Sequence, residues 1–349
     1  MILLSTAFCF CNYAWSQNKN IIQTEISLPV SASIRAMHVL NDSTVWIGAA
    51  RGIFALTQNG GKTWYVDSIK NDSAVFDFRS IHAIDGNNCL LLNAGSPAFI
   101  FKVIIPDKTD SATKSEHVLQ YQNTEKEIFF DAMQFKNSTI GYAIGDPLNK
   151  KFVLLKTEDG GNTWKNISDN ISYTAAEGEA LFAASNSTLT VQNNFIAFAT
   201  GGSQSRIIYS INEGKSWSAI STKLIQGAVM QGAFSMDMHD NLLVVAGGDY
   251  DHKDSVCQNL VLFEVQKQFK NIPLNITLHK MISCIQFHPH NKNILLAACL
   301  PGIYLSQNLC NDWTLINNQS YNTLRWSPTG KVAYAAGADG KVLKLEFKD

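Results

Sequence analysis

Charge is scarce. Asp, Glu, Lys and Arg make up 16% of the 349 residues, and the formal net charge is -1. A chain this neutral, with no basic patch interleaved with aromatics, is excluded from the nucleic-acid binders and from proteins held on acidic membranes by charge. Cysteines are few and poorly spaced for chemistry. Of 7, Cys9 and Cys11 lie near the start, leaving Cys89, Cys257, Cys284, Cys299 and Cys310. The remainder is odd in number and holds no CxxC pair, which argues against a zinc site and a disulfide framework, so no metal is expected. Beyond Phe10 no apolar run reaches the ~20 residues a spanning helix needs. GxGxxG is missing, and so is any useful amphipathic helix whose N-terminus could hold a pyrophosphate; no cofactor is expected.

What the chain does have is a repeated turn. Thr157-Glu158-Asp159-Gly160-Gly161-Asn162-Thr163-Trp164 follows the apolar run Phe152-Val153-Leu154-Leu155. Nearly the same letters recur at Thr57 to Trp64, with Asn59, Gly61, Thr63 and Trp64 in the matching places. A third copy places Asn212, Gly214, Ser216 and Trp217; a worn fourth keeps Asn308 and Trp313. Asn or Asp at the third position can hydrogen-bond amides of its own loop. Gly at the fifth reaches positive φ without a Cβ clash, and the seventh-position hydroxyl can tie the far side of the loop. Trp at the eighth is placed to fold back as an apolar plug against a neighbouring sheet. A strand, a tight polar turn and a Trp at long intervals predict a radially repeating all-β fold.

The rest of the chain divides accordingly. Strand-like units begin near Ile34, Phe78, Phe130, Gly178, Gly232, Met281 and Tyr321, roughly 40 to 55 residues apart, as propeller blades do. The seventh unit has strands to spare for only three positions, and the lone stretch Ile21 to Leu28 would supply the fourth and close the ring. The expectation is a single all-β domain over 17–349, a seven-bladed β-propeller with six blades as the alternative, and a monomer. Met1 to Phe10 is apolar, and Ala14-Trp15-Ser16 suits signal-peptide cleavage near Gln17 even without a basic n-region, so 1–16 is expected to be a leader. Cys9 and Cys11 lack the small residues that a lipoprotein signal wants. The expected location is therefore outside the cytoplasm, periplasmic or extracellular in a bacterial envelope. Asp-Ser followed by an apolar residue or Thr, at Asp42, Asp67, Asp72, Asp110 and Asp254, resembles the O-glycosylation sites of some exported bacterial proteins.

The turns resemble the Asp-box (BNR) repeat of β-propellers. Over roughly residues 30 to 345 the chain is similar to photosystem II stability/assembly factor-like and sortilin-like repeat proteins. The matching stretches include Phe78-Arg79-Ser80-Ile81, Phe130-Asp131-Ala132-Met133, Gly145-Asp146-Pro147, Gly178-Glu179-Ala180 and Gly247-Gly248-Asp249-Tyr250. The resemblance implies a seven-bladed, usually exported, non-enzymatic scaffold. Its members often carry an oxidoreductase label, for which the chain offers no cofactor motif.

In a propeller the openings of the inner strands converge on one mouth. Here they would bring together Arg35, Arg79, Asp131, Glu179, Ser235, Ser283 and Arg325, with Asp146, Arg206 and Asp249 from later loops. Arginines in a sheltered funnel suit a protein partner or a polar or anionic ligand, through bidentate pairing to carboxylate or phosphate. The same charges could instead pair with one another and hold the blades in register. Three functions fit: a non-catalytic binding or assembly scaffold, a sialidase-like glycan hydrolase using the arginines for a sugar carboxylate, and a structural surface protein. No catalytic residue is assigned, because no Tyr lies near an acid at a matching position.

Overall fold

The computed structural model describes residues 20–71, 75–106, 114–266, 268–274 and 278–348. The leader assigned to 1–16 and the Asp-Ser pairs at Asp72 and Asp110 lie outside the described residues.

Short apolar runs separated by polar turns fold into seven antiparallel sheets, each with a four-stranded blade. The inner strands are Ile34–Val39, Phe78–Ala83, Phe130–Phe135, Leu189–Gln192, Gln231–His239, Met281–His288 and Thr323–Trp326. Each packs against the next, and the last returns to the first, so the ring is closed. The second strands are mostly buried, end to end in Val45–Ala49 and Leu242–Asp249, whereas Asn291–Leu300 is exposed at its start. Their unbroken apolar character follows, because a neighbouring blade covers each face. Seven apolar clusters fill the seven gaps between blades, among them Trp46, Phe54 and Phe101 between blades 1 and 2 and Leu296, Leu324 and Leu345 between blades 6 and 7. The seventh blade takes its outer strand from the start of the chain: Ile21–Ser27 pairs antiparallel with Lys341–Phe347, Ile26 opposite Val342. Closing the ring this way ties the two described chain ends together and covers an otherwise open sheet edge.

The repeated turn has one hydrogen-bond plan in all four copies. In blade 3 the Asp159 carboxylate accepts from the Thr163 amide at 2.9 Å and the Thr163 hydroxyl at 2.6 Å. The Thr157 hydroxyl, which the sequence pattern does not single out, accepts from the Gly161 amide at 2.9 Å. Thr57, Ser210 and Ser306 do the same for Gly61, Gly214 and Cys310. The Trp then plugs the gap to the preceding blade: Trp164 joins Leu90 and Phe135, Trp217 joins Phe152 and Phe198, and Trp64 joins Val332 and Tyr334.

The fifth position of the turn is where glycine is required. Gly161 has φ 85°, and a Cβ there would lie 2.3 Å from Leu90 Cδ1 in the core. Gly214 has φ 82°, but a Cβ would meet nothing nearer than 3.6 Å. Gly161→Ala is therefore expected to cost about 2 kcal/mol, dihedral strain plus overpacking, and Gly214→Ala about 1 kcal/mol from the dihedral alone. Urea midpoints of the two variants check the difference; equal losses would assign everything to the backbone.

One expectation is corrected here. The fourth unit does not open with an inner strand at Gly178 to Ser185; its inner strand is Leu189–Gln192. Glu179–Ala180 instead pairs with Gly201–Gly202 as a two-residue ribbon on the next blade's sheet. Residues 181–188, freed from pairing, run across the centre of the ring. Ser185 Oγ donates to Ser283 O at 2.8 Å, and Ser185 O accepts from Thr323 Oγ1 at 3.2 Å. Asn186 Oδ1 bonds the Ser80 hydroxyl and accepts from the Met133 amide at 3.0 Å. Ser187 Oγ bonds Ser235 Oγ at 2.7 Å. The segment thus reaches the inner strands of blades 2, 3, 5, 6 and 7 and forms a plug that divides the central channel into an upper and a lower chamber.

Candidate functional site

The upper face is the one on which the inner strands begin. Five inner strands carry a β-bulge there, between Ile34 and Ala36, Phe78 and Ser80, Phe130 and Ala132, Ala233 and Ser235, and Ile282 and Cys284. The inserted residues are Arg35, Arg79, Asp131, Phe234 and Ser283. A bulge leaves its extra residue unpaired and re-aims its side chain, so a single local device brings Arg35, Arg79 and Phe234 to the wall of a cavity at the channel mouth, while Asp131 and Ser283 are buried. The sequence expectation at blade 5 is off by one: Phe234 is the bulge residue, whereas Ser235 accepts from the Ile285 amide at 2.9 Å and links two blades.

Between this mouth and the plug lies a cavity of about 500 Å³. Arg35, Arg79, Asp146 and Glu179 line its polar side, and Phe129, Leu181, Phe182, Met230, Phe234 and Tyr250 its apolar side. Phe182 and Phe234 stack at 4.0 Å, with Tyr250 next in the row at 6.3 Å from Phe234. The Arg79 guanidinium sits 5.6 Å from the Phe129 ring centre, and its Nε donates to Asp77 at 2.8 Å. Arg35 differs: among the described residues it makes no ion pair, and Tyr250 and Asp77 are the neighbours that favour its charged form. Burial, and then the charge of Arg79, lower the Arg35 pKa below its ordinary value. Two guanidinium groups therefore converge on a sheltered, aromatic-walled hollow, and one of them has no ion pair among the described residues.

The other predicted site residues are placed as follows. Asp131 is fully buried behind the cavity, and neither carboxylate oxygen has a hydrogen-bond partner among the described residues. Burial, then the neighbouring Asp146, push its pKa well up, against smaller opposing pulls from Arg79 and the nearby backbone amide of Asp146. Asp146 is raised to about 6 by burial, although it accepts from the Leu181 amide at 2.8 Å. Glu179 and Arg206 are not free for a ligand: Arg206 Nη2 lies 2.5 Å and Nε 2.9 Å from the Glu179 oxygens. Asp249 caps a turn, accepting from the Asp251 amide at 2.9 Å and Gln231 Nε2 at 2.9 Å, and does not line the cavity. Burial alone would raise its pKa, but the bonds from Gln231, His252 and Asp251 outweigh it and hold the group low.

Arg325 is in the other chamber. Its guanidinium lies beneath the plug, donating to Ser185 O at 2.6 Å and Asn186 O at 2.9 Å. The four arginines considered for a sugar carboxylate are thus split: Arg35 and Arg79 share the upper cavity, Arg206 is locked in an ion pair, and Arg325 faces away. The cluster that the sialidase-like alternative needs is not assembled. The sequence reasoning missed the aromatic wall. Its one local signal was Tyr250 beside Gly247-Gly248-Asp249; Phe182 and Phe234 look like ordinary strand residues until the bulge and the plug turn them inward.

No family profile matches the chain, and no curated protein sequence does. Solved structures do. YCF48 bound to a D1 peptide superposes with TM-score 0.64 at 12% identity, covering 94% of this chain and 97% of that one. YCF48 from Cyanidioschyzon merolae gives 0.60 at 13% identity, covering 93% and 98%. The Pan2 WD40 domain of Neurospora crassa gives 0.65 at 12% identity, covering 96% and 99%. The chain is a seven-bladed β-propeller similar in fold to YCF48 and to that WD40 domain.

Proposed function

We propose that the protein is a non-catalytic binding scaffold that captures an acidic, extended peptide segment of a partner protein in the upper cavity. The observation that carries this reading is the largely buried Arg35 guanidinium, in no ion pair among the described residues, beside Arg79. A carboxylate entering between them would supply the missing counter-charge and accept charge-assisted bonds from two planar forks. Next to it, the row Phe182, Phe234 and Tyr250 offers a flat apolar wall for the adjoining side chain. Phe129, Met230 and Leu181 complete that wall. A structural neighbour, YCF48, is described as bound to a D1 peptide, which supports a peptide as the kind of ligand this architecture accommodates. The turns are, on this reading, Asp-boxes that stiffen the ring rather than contact the ligand.

The test uses fluorescein-labelled peptides carrying Asp or Glu beside an aromatic residue, and matched peptides with Asn or Gln. Acidic peptides should bind more tightly than their amides, and Arg35→Ala should weaken them by about tenfold to a hundredfold, the worth of a charged hydrogen-bonded pair. Arg79→Ala should weaken them less, because Asp77 already competes for that guanidinium. Equal binding of acid and amide peptides, or an unchanged Arg35→Ala, would remove the proposal.

A further inference from the structure

Beneath the plug, the lower chamber forms a second cavity that peptide capture leaves unused. Its volume is about 240 Å³, and its walls include His38, His82, Gln134, Phe135, Gln286 and Trp326. It shares Asp237, Gln286 and Trp326 with an adjoining hollow of about 390 Å³. Space of this order suits a small molecule.

The chamber offers little charge to a ligand. Arg325 is its cation, and the guanidinium is already spent on protein acceptors: Nη2 on the two plug carbonyls, Nη1 on Leu324 O at 2.6 Å and Thr323 Oγ1 at 3.2 Å. Asp237 is the opposing acid, and its carboxylate accepts from the Phe287 amide at 2.8 Å. His38 and His82 meet edge to face at 5.1 Å. Burial is the main cause that lowers their pKa values, to about 4 and about 3, with Arg325 adding to the effect on His38 and His38 to that on His82. Both are neutral imidazoles at physiological pH, each with one donor and one acceptor nitrogen.

Several polar atoms here have no protein partner. Gln134 Oε1, an acceptor, and Trp326 Nε1, a donor, are buried and unpartnered among the described residues. In the adjoining hollow both ring nitrogens of His239 are unpartnered too; Nδ1 lies 3.3 Å from Asp240 Oδ2 but without hydrogen-bond geometry. Gln134 and Trp326 both line the chamber; their unsatisfied atoms are closed off from its open space as it stands, so a ligand reaches them as the side chains turn, and it must then both donate and accept. A carboxylate only accepts and an ammonium only donates, whereas a hydroxyl does both. Trp326 and Phe135 add aromatic surface for C–H groups; Phe135 is itself held flat against His82 at 3.9 Å.

We propose that the lower chamber is a second, independent ligand site for a small, uncharged, hydroxyl-rich molecule of the sugar or polyol class. Gln134 and Trp326 are its principal hydrogen-bonding residues, and His38, His82 and Gln286 complete its polar wall.

The experiment is isothermal calorimetry with ligand-observed saturation-transfer NMR on the full chain. The probes are glucose, N-acetylglucosamine, trehalose and glycerol, with glucose 6-phosphate and glucosamine as charged counterparts. At least one neutral probe should bind saturably in the millimolar range or better, and more tightly than either charged sugar. A sugar or glycerol response tells a ring binder from a polyol binder. Gln134→Ala and Trp326→Phe should each weaken binding about tenfold, the worth of one hydrogen bond to an otherwise orphaned group. Arg35→Ala, in the other chamber, should leave it unchanged while reducing acidic-peptide binding, so the two sites fail separately. Trp326→Phe keeps an aromatic ring and loses only the donor and some bulk, so it carries the test if Gln134→Ala does not fold. The proposal is overturned if no neutral probe saturates, if the phosphate ester binds more tightly, if folded variants bind as well as the parent, or if Arg35→Ala abolishes sugar binding.

Discussion

Glu179→Ala should unfold far more readily than any substitution on the cavity rim, losing about 3–5 kcal/mol. The Glu179 side chain is fully buried, and that of Arg206 is 14% exposed, so the alanine leaves a nearly buried guanidinium without its carboxylate. Two further donors lose their acceptor, the Thr200 hydroxyl at 2.6 Å and the Ala176 amide at 2.9 Å. Glu179→Gln keeps an acceptor for one or two of these donors and should cost about half as much. The measurement is the guanidinium midpoint of each variant. Because the ion pair anchors the ribbon from which the plug departs, peptide affinity per folded molecule should fall only modestly. A Glu179→Ala protein with an unchanged midpoint but no peptide binding would show that Glu179 contacts the ligand, as its position at the mouth first suggests.

That contrast shows where sequence reasoning holds and where it stops. The ring itself was legible, because its signals are local: an apolar run, a turn with Gly at a positive φ, and a Trp at fixed distance recur in phase. The latch was legible for the same reason, since Ile21 to Leu28 is one strand too many for the first blade and the last blade is one too few. The bulges themselves were not read from the sequence, but four of the five residues they carry were named for the mouth, because a polar residue interrupts an apolar strand there, as Arg35, Arg79, Asp131 and Ser283 do. Phe234 gave no such signal, and Ser235 took its place in the prediction. The plug was beyond reach. Phe182-Ala183-Ala184-Ser185 reads as a buried strand, and the true partners of the plug, Ser80, Met133, Ser235, Ser283 and Thr323, are scattered over five blades and meet it through hydroxyls and backbone groups. Nothing in composition or period encodes such contacts. The partition of the channel into two chambers, and the separation of Arg325 from Arg35 and Arg79, follow from that single missed segment.

Asp131 supplies the other large effect, and its sign depends on pH. The side chain is fully buried, has no hydrogen-bond partner among the described residues, and lies beside Asp146; burial first and that neighbour second hold its pKa well above the ordinary value. Asp146 itself is raised to about 6 by burial. A carboxyl raised in the folded state keeps its proton while the unfolded chain, with a value near ~4, has already lost it. The stability such groups contribute is therefore full below about pH 4 and is lost as pH rises through the folded values, about 6 for Asp146 and well above the ordinary carboxyl range for Asp131. Asp131→Asn puts a permanently neutral group of the same shape in that site, and its amide can donate to Asp146. The variant should match the parent near pH 4 and exceed it by on the order of 2–3 kcal/mol at pH 8, the usual scale for removing an uncompensated buried acid. Thermal midpoints across that range read the difference directly. The Arg35 and Arg79 guanidinium groups should also feel the change, since the upper cavity loses a nearby titrating carboxyl, and acidic peptides should bind at least as tightly at pH 8 as they do to the parent. A stability gap that stays constant with pH, or an Asp131→Asn protein weaker than the parent at pH 8, would mean that the carboxylate is held by groups other than those surrounding it in the structure.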